Sequence, residues 1–326
     1  MSPSRIATWT VRLFVMSNHI TFVMYHYVRE LSLSKYPKIK ALNTSEFVHQ
    51  VDYLSLNYQF LNLEDVRNAI KGEKTFENGV VLTFDDGYSD HYENVFPFLS
   101  KLGIQGWFFP PVQAVVRNEI LDVNKIHFIL ASLPESADLV QILLRAVSEL
   151  EKDHSVESDL RRFWQNFDVV DDYDRKEVTF FKHVLQNYLE DSLRAEILNH
   201  LFLLFVEENA SAFSSELYMN LDQIREMKKA GMVVGGHGSQ HRWLGKISER
   251  EQSEEIKVTR DFLESVNGDG NFVMCYPYGS YDEFTLSECA ERGFDIGLTT
   301  ESGVFDPNSE DPLRVKRMDT NCFPKS

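Results

Sequence analysis

The stretch Val80-Val81-Leu82-Thr83-Phe84-Asp85-Asp86-Gly87 joins an apolar run to two adjacent carboxylates and a glycine. The run has the length and composition of a buried strand, and the glycine marks a turn directly after it. A second stretch repeats this arrangement, because the apolar residues 232–234 lead into Gly235-Gly236-His237-Gly238-Ser239-Gln240-His241. Acidic and imidazole groups that follow buried strands are the parts of a hydrolytic metal site with an open coordination position.

Strand and helix patterns alternate along most of the chain. Apolar, strand-like runs occur at 20–25, 80–84, 106–109, 232–234, 271–275 and 296–299. Helical patterns occur at 45–54, 63–71 and 92–102, before Gly231, after Ser248 with its capping-box Glu251, and at 282–292. This alternation predicts an α/β fold with parallel strands and helices packed outside them. Such folds collect functional side chains at the carboxyl ends of the strands.

The alternation stops between residues 115 and 220. Apolar residues recur there at helical spacing, at Leu139, Leu143, Val147 and Leu150 and again over 197–205, and a polar turn is marked by Asp171, Asp172 and Asp174. We therefore predict one α/β domain in two parts, 17–114 and 221–326, interrupted by a helical insertion at 115–220. The insertion either caps the strand ends or serves as a dimerisation element through which the protein forms a homo-oligomer.

The composition excludes some classes of partner. The 326 residues carry a formal net charge of −17, which argues against nucleic acid because no basic stripe is present to neutralise phosphates. Cys275, Cys289 and Cys322 form no close pair, which argues against a disulfide framework or a thiolate zinc site. Residues 1–15 make a poor signal peptide, and no apolar run approaches the roughly 20 residues that span a bilayer. We expect a cytoplasmic protein with no stable membrane insertion.

The paired acids and paired histidines each allow two interpretations. In an extended segment Asp85 and Asp86 point in opposite directions, so one can ligate a metal while the other acts as a base. An isolated Asp-Asp-Gly more often caps the next helix or turn. One helical turn, about 6 Å of rise, would bring the rings of His237 and His241 to one side of a metal, but such pairs also occur on surfaces and in cores. The strand before each pair favours the functional interpretation.

These motifs resemble those of the polysaccharide deacetylases with a NodB-homology domain, carbohydrate esterase family 4. Thr83-Phe84-Asp85-Asp86-Gly87 matches the first motif of that family, and Pro277-Tyr278-Gly279 matches a third motif that follows a strand. Residues 237–241 match the second motif, His-Ser/Thr-x-x-His, except that Gly238 replaces the hydroxyl residue. The resemblance covers residues 20–110 and 221–323 and excludes the insertion.

The resemblance implies a distorted parallel (β/α) barrel of about seven strands, with its metal at the carboxyl-end face. It implies a divalent ion held by Asp86, His237 and His241, with zinc as the default among several compatible metals. It also implies that Asp85 is the catalytic base and that the backbone N–H of Tyr278 meets the oxyanion that develops during attack on the carbonyl.

Two positions depart from the family pattern. Many relatives carry an arginine before the third motif that orients the base, whereas this chain has Cys275 there. Arg317 is our candidate substitute, because a guanidinium can hold the Asp85 carboxylate in a fixed fork; the alternative is an exposed arginine in a basic C-terminal stretch. The chain end lacks the histidine that commonly serves as general acid, but Tyr25-His26 resembles the N-terminal motif of circularly permuted relatives that de-N-acetylate exopolysaccharide. We predict that His26 protonates the leaving amine, the alternative being a buried structural histidine.

The predicted reaction is metal-dependent hydrolysis of an N-acyl group, first of all N-acetyl, on an amino sugar. The carbohydrate substrate is a glycan or a nucleotide- or lipid-linked glycan precursor. Removal of formyl or of an O-acetyl group uses the same site chemistry. A catalytically silent carbohydrate-binding protein on this fold is an alternative from another class, and a phosphoesterase is disfavoured because no phosphate-binding glycine loop is present. The aromatic residues near the motif ends that can stack on a sugar are Tyr88, Trp107, Trp243 and Tyr278, although core packing suits Trp107 better.

Overall fold

The structure, a computed structural model, describes residues 18–151, 155–169, 174–207, 209–268, 270 and 272–326. Its centre is a sheet made of β1 (Ile20–Tyr25), β2 (Gln59–Phe60), β3 (Gly79–Asp85), β4 (Gly106–Phe109), β5 (Val233–Val234), β6 (Phe272–Cys275), β7 (Phe294–Ser302) and β8 (Val315–Asp319). The strands follow the order β5-β4-β3-β1-β8-β7-β6, with β2 paired to β3, and all these pairs are parallel. The predictions for residues 1–15, Asp171, Asp172 and Asn271 lie outside the described residues.

The two ends of this strand order meet through Gly236, which follows β5. Its N–H donates to the carbonyl of Val273 at 2.9 Å, and its carbonyl accepts from the N–H of Cys275 at 2.8 Å. Because Val273 and Cys275 belong to β6, these bonds nearly close the sheet into a barrel. The predicted distorted parallel (β/α) barrel is confirmed, with seven strands on the closed path among the residues that the structure describes.

The helices alternate with the strands on both sides of a long helical segment. In chain order they are α1 (Thr44–Asn57), α2 (Leu63–Ile70), α3 (Phe96–Leu102), α4 (Val112–Val116), α5 (Asp122–Ser132), α6 (Leu139–Leu150), α7 (Ser155–Gln165), α8 (Lys176–His183), α9 (Asp191–Phe205), α10 (Ala210–Leu217), α11 (Leu221–Lys229), α12 (Glu249–Asn267) and α13 (Glu283–Glu291). Short π-helical turns, His91–Val95 and Val184–Tyr188, precede α3 and follow α8. Within the described residues, none of these helices is both long and apolar enough to cross a bilayer.

The barrel helices pack on the outer face of the sheet. Helices α1, α3 and α11 to α13 share an apolar core with outward-facing strand residues such as Leu82, Phe84 and Val234. The capping box predicted at the start of α12 is present, since Ser248 and Glu251 exchange hydrogen bonds between side chain and backbone. These contacts fix the strands that carry the paired acids and the paired histidines.

Helices α4 to α10 lie between β4 and β5, in the region where the sequence predicts a helical insertion. They surround their own apolar core, which contains Leu143, Val147, Leu198 and Phe202 among many others. The helical spacing of these residues therefore serves packing, because an amphipathic helix is stabilised mainly by burying its apolar face. The domain boundaries at 115 and 220 remain a prediction.

The last strand, β8, was missing from the sequence prediction, which ended the sheet at 296–299. Its five residues read Val-Lys-Arg-Met-Asp, too polar to be recognised as a strand, yet β8 lies between β1 and β7. Val315 and Arg317 alternate onto the interior face of the barrel, where Val81 also packs. The alternative of an exposed Arg317 is therefore wrong, because this side chain is only 1% exposed.

Candidate active site

Asp85 and Asp86 form the turn at the carboxyl end of β3. Asp85 is the last residue of the strand, whereas Asp86 and Gly87 have φ angles of +72° and +70°. The predicted extended geometry is thus wrong, because the left-handed conformation at Asp86 lets both carboxylates approach His237. A side chain at Gly87 would lie 2.8 Å from Pro110, so this turn also requires glycine for space.

His237 and His241 lie on a loop, so the predicted helical turn is wrong. The backbone reverses at Gly238 and His241, whose φ angles are +70° and +57°. A Cβ at Gly238 would also lie 3.2 Å from a carboxylate oxygen of Glu255. Glycine therefore suits this position because of its conformation, which accounts for the departure from the family motif.

Glu255 of α12 holds this loop in place and was not recognised from the sequence. Its Oε2 accepts hydrogen bonds from the N–H groups of Ser239 at 2.8 Å and Gln240 at 3.0 Å. Glu255 is buried, and burial raises its pKa while these two donors lower it. No motif separates Glu255 from the other acids of α12, so only the folded loop reveals its role.

The loop and the turn bring Asp86, His237 and His241 together. The Nε2 atoms of His237 and His241 lie 3.4 and 3.2 Å from Asp86 Oδ1 and 3.2 Å from each other. Burial raises the pKa of Asp86, but the two adjacent imidazoles outweigh it and hold the pKa well below its usual range. All three side chains are at least nine-tenths buried, so a carboxylate and two ring nitrogens face one another out of contact with bulk water.

This donor set fits a small divalent cation. Ligands at about 2.0 to 2.1 Å from a tetrahedral zinc ion are separated by about 3.3 to 3.5 Å, close to the three observed distances. Asp86 Oδ1 is buried and has no hydrogen-bond partner among the described residues. His237 Nδ1 donates to the carbonyl of Cys275 at 2.8 Å, which directs the lone pair of Nε2 toward Asp86.

A second donor set, Asp85, His237 and Cys275, also has its ligand atoms within 4.8 Å of one another. It suits a cation less well, because both carboxylate oxygens of Asp85 already accept from the guanidinium of Arg317. The Cys275 thiol is buried, and burial raises its pKa, which opposes the thiolate that a metal requires. The set built on Asp86 is therefore the better site.

Arg317 binds Asp85 in a bidentate fork inside the barrel. Its Nη1 and Nη2 donate to Oδ1 and Oδ2 of Asp85 at 2.9 and 2.8 Å, and its Nε donates to the carbonyl of Thr299 at 2.7 Å. Burial favours the neutral carboxyl group, but the charge of Arg317 outweighs it and holds the pKa of Asp85 at about 2. Asp85 is thus an oriented, ionised carboxylate beside the donor set.

His26 follows β1 at the opening of the site. Its Nε2 lies 3.9 Å from Asp85 Oδ2, and its side chain is 43% exposed, so the alternative of a buried structural histidine is wrong. The backbone of His26 is held by His91, whose Nε2–H donates to the His26 carbonyl at 2.8 Å. Burial lowers the pKa of His91 to about 4, so His91 is a neutral donor. No sequence motif indicates this contact between His91 and His26.

Aromatic side chains form one wall beside the donor set. The Tyr278 ring packs edge-on against His241 with 4.5 Å between centroids, and it stacks on Trp243 at 4.3 Å and an interplanar angle of 5°. These residues line a cavity of about 240 Å³ that the insertion closes with Asn187 and Asp191. Tyr278 itself adopts a left-handed backbone conformation, with φ of +57°.

Two of the aromatic residues proposed for sugar stacking cannot reach a ligand. Tyr88 and Trp107 are both fully buried. Trp107 packs in the barrel interior, as its sequence context suggested, and its ring contacts Phe22 edge-on at 5.7 Å. Tyr88 instead donates a hydrogen bond to Asp86 Oδ2 at 2.6 Å.

A larger cavity of about 690 Å³ continues along the insertion. It shares Asp122, Asp191, Arg194 and Arg242 with the cavity beside His241. The shared wall is neutralised by ion pairs, since Arg194 and Arg242 both contact Asp191, at 3.0 and 3.1 Å. The two cavities therefore form a polar groove whose charges nearly balance, which suits a neutral, hydroxyl-rich ligand.

The model of the polysaccharide deacetylase family matches residues 72–151 and 161–297. The matched segments make up more than half of the chain, so this chain belongs to the polysaccharide deacetylase family. Members of this family hydrolyse acyl groups on carbohydrates and generally use a divalent metal ion. The donor set of Asp86, His237 and His241 is of the kind that such an ion requires.

Several individual proteins resemble the chain. It is 22% identical over 300 residues to the poly-beta-1,6-N-acetyl-D-glucosamine N-deacetylase of Escherichia coli, covering 91% of this chain and 36% of that protein. The chain spans about a third of the length of the curated relatives it matches. IcaB from Ammonifex degensii has a TM-score of 0.56 at 19% identity, and the Streptococcus pyogenes deacetylase PplD, in complex with acetate, has 0.54 at 18%. Each structural match covers 93% of this chain and 92% of the other, and at these identities it establishes the fold.

Proposed function

We propose that this protein is a metal-dependent hydrolase that removes the N-acetyl group from an amino sugar of a glycan or glycan precursor. One observation carries the proposal: three donor atoms of Asp86, His237 and His241 lie 3.2 to 3.4 Å apart beside the ionised carboxylate of Asp85. A metal site flanked by a carboxylate that is not a ligand is the arrangement that water-activating hydrolases use. Zinc is the default ion for this donor set.

A divalent ion held by these residues would supply Lewis acidity, which lowers the pKa of water to about 7 and polarises a carbonyl. Asp85 then accepts the proton of the attacking water. Arg317 fixes the Asp85 carboxylate through two hydrogen bonds, and so positions this base. The Arg317 side chain is thereby a positioning group that replaces the arginine absent at Cys275.

His26 is the proposed general acid. Its imidazole is accessible and lies 3.9 Å from Asp85 Oδ2, so the base and the acid can both reach one substrate amide in front of them. Protonated Nε2 donates to the amine nitrogen as the C–N bond breaks, and acetate leaves. The backbone N–H of Tyr278 is the proposed donor to the developing oxyanion.

The substrate proposal rests on the relatives and on the groove. The E. coli relative is named for N-deacetylation of poly-beta-1,6-N-acetyl-D-glucosamine. The Tyr278–Trp243 stack and the charge-balanced groove suit several pyranose rings. We therefore propose oligomers of an N-acetylated amino sugar as substrates. A nucleotide- or lipid-linked carrier, a cytoplasmic location and a homo-oligomer formed through the insertion remain predictions.

Acetate release from defined sugars tests this function. Purified, zinc-loaded protein is incubated with short β-linked N-acetylglucosamine oligomers, nucleotide-linked N-acetyl sugars, and matched N-formyl and O-acetyl sugars. We expect acetate from the N-acetyl oligomers, loss of release on chelation and recovery when zinc is added back. Asp85→Asn should lose about 10²- to 10⁴-fold in turnover while keeping its metal.

Release that resists chelation, or an Asp85→Asn variant that turns over normally, would overturn the mechanism. Faster hydrolysis of the N-formyl or O-acetyl sugars would change the acyl specificity and keep the mechanism. Retained oligosaccharide binding without hydrolysis of any sugar would instead favour the catalytically silent carbohydrate-binding protein. The Asp85→Asn variant separates this outcome as well, since a binding protein should be indifferent to it.

A further inference from the structure

A buried cluster of hydroxyl and amide groups connects the insertion to Asp86. The cluster consists of Tyr27, Tyr88, Asn124 and Tyr218, and each of these residues is at least 96% buried. Asn124 lies on α5 and Tyr218 follows α10, so the insertion supplies two of the four residues. The other two come from the loops that follow β1 and β3. The mechanism proposed above uses none of them.

The hydrogen bonds of the cluster run in one direction. The Tyr218 hydroxyl donates to Asn124 Oδ1 at 2.5 Å, and Asn124 Nδ2 donates to the Tyr88 oxygen at 2.7 Å. The Tyr88 hydroxyl then donates to Asp86 Oδ2 at 2.6 Å. Each hydroxyl that accepts a hydrogen bond becomes a better donor to the next group. The chain of bonds therefore ends on the carboxylate of Asp86.

The orientation of the Asn124 side-chain amide is fixed by its hydrogen-bond partners. Its second N–H donates to the Tyr27 oxygen at 2.8 Å, so both donors and the acceptor are in use. The Tyr218 oxygen in turn accepts from the N–H of Leu121 at 3.0 Å, which anchors the cluster to the insertion backbone. Because a hydroxyl carries one hydrogen, donation from Asn124 leaves the Tyr88 hydrogen directed at Asp86.

We propose that Asn124 is a positioning residue for the metal site: through Tyr88 it occupies Asp86 Oδ2, so that Oδ1 faces His237 and His241. The proposal rests on the proposed function only in taking Asp86 as a metal ligand. Partners behind a metal ligand hold its orientation and typically contribute 10- to 100-fold in metal affinity. The insertion thus becomes part of the metal site, beyond the roles of a cap or a dimerisation element.

The test measures metal affinity, since a purely structural role would not alter it at equal stability. Zinc and cobalt affinities of the full-length protein are determined by competition with a chromophoric chelator, with thermal unfolding of the metal-free protein recorded alongside. We expect Tyr88→Phe to weaken binding by roughly 10- to 100-fold. Asn124→Leu should weaken it by about 2- to 10-fold, as expected for one hydrogen bond.

The double variant decides whether Asn124 acts through Tyr88. If it does, Asn124→Leu adds no further loss in the Tyr88→Phe background. The matched control is Tyr36→Phe, because Tyr36 is also a buried tyrosine whose hydroxyl donates to the insertion, at 3.3 Å to the carbonyl of Val206, outside the cluster. Tyr36→Phe should keep the affinity of the unmodified protein.

Two results would overturn the proposal while leaving the proposed function intact. One is a metal affinity in the folded Tyr88→Phe and Asn124→Leu variants equal to that of the unsubstituted protein. The other is a loss of metal affinity in the double variant equal to the sum of the two single losses. A natural-sequence protein that binds neither zinc nor cobalt would overturn the proposed function itself, and the inference with it. The conservative Tyr88→Phe change keeps the test informative even if Asn124→Leu fails to fold.

Discussion

The barrel and the helical insertion contribute different kinds of side chain to the same site. The barrel supplies ionisable side chains from its strands and from the residues that follow them: Asp85 and Asp86 at the end of β3, His26 after β1 and Arg317 on β8. The insertion delivers neutral or charge-balanced groups from helices, among them Asn124 behind Asp86 and Asp191 on the groove wall. The proposed chemistry therefore comes from the barrel, whereas the insertion adds Asn124 behind Asp86 and part of the groove wall.

The two regions differ in how rigidly they hold side chains at the site. Parallel strands in register fix their carboxyl ends through backbone hydrogen bonds, and Asp85 is itself in register with Phe109 of β4. The insertion contacts the site mainly through side chains, as in the 2.8 Å bond from Lys246 to Asn187. One backbone bond adds to these contacts, since the N–H of Met219 donates to the Gly87 carbonyl at 2.9 Å. Changes in the barrel should thus affect metal binding and turnover, and changes in the groove wall of the insertion should affect substrate affinity.

The largest effect is expected from a barrel ligand. Asp86→Ala should weaken zinc binding by at least about 10³-fold, more than the 10- to 100-fold that an outer partner contributes, and hydrolysis should become undetectable. Equilibrium dialysis with atomic absorption measures the bound metal. Asp90→Ala is a control on the same turn, since Asp90 binds Arg29 at 2.7 Å and is not a donor of the site. Stoichiometric zinc in Asp86→Ala would contradict the assignment.

The proposed acid should affect turnover and leave the metal in place. His26→Ala is expected to lower kcat by about 10²- to 10⁴-fold with the zinc affinity unchanged, because the leaving amine loses its proton donor. A more acidic leaving amine should recover much of the rate, so an aryl amide substrate sharpens the measurement. Near-normal kcat for the N-acetyl sugar would remove His26 from the mechanism.

Breaking the ion pair inside the barrel should destabilise the fold. Arg317→Leu leaves the buried Asp85 without its partner, and removal of one member of a buried pair typically costs about 3 to 5 kcal/mol. Urea denaturation of the metal-free protein gives the free energy of unfolding. The Asp85→Asn change in the Arg317→Leu background should recover part of this loss, because the unpaired charge is then gone. Additive losses would show that the pairing contributes little.

Local patterns in the sequence predicted the α/β fold, and the resemblance to the deacetylase family implied the barrel and its metal ligands. Apolar runs before Asp85 and before His237 identified the strands, and adjacent charged residues identified their ends. β8 was missed because a short strand with one buried face has few inward-facing residues, and these should be apolar to be recognised. In β8 one of them is the buried Arg317, so the apolar pattern is lost. A motif match cannot reveal such a residue without the neighbouring strands.

The supporting groups were missed for a different reason. Asn124, Glu255 and His91 act through hydrogen bonds to residues at least 15 positions away in the chain. Isolated Asn, Glu and His residues are common in helices, so their sequence context carries no signal. The left-handed conformations of Asp86 and His241 likewise follow from tertiary contacts. The sequence predicted an extended segment at Asp86 and a helical turn at His241, and both predictions were wrong.

A smaller effect is expected from the buried His91 behind His26. Its pKa in the folded protein is about 4, below the ordinary 6.5, because burial disfavours the charged ring. The unfolded chain therefore binds more protons between these values, so stability should be complete above pH 6.5 and fall by up to about 3 kcal/mol as the pH drops toward 4. Urea titrations across this range measure the slope. His91→Gln keeps a donor without titrating and should flatten the slope.

The smallest effect is expected from the groove wall of the insertion. Asn187 belongs to the π-helical turn Val184–Tyr188, lines the cavity beside Tyr278 and contacts no donor of the site. Asn187→Ala should raise KM for an N-acetylglucosamine oligomer by about 2- to 10-fold, the value of one hydrogen bond, with kcat and zinc affinity unchanged. Asn166→Ala serves as control, because the Asn166 side-chain amide donates to the Arg162 carbonyl and Asn166 is not among the described residues that line either cavity. A fall in kcat with KM unchanged would mean that the groove wall of the insertion acts on the chemical step. The insertion would then contribute to the chemistry at the groove, in addition to its contact behind Asp86, and the contrast between barrel and insertion would be wrong.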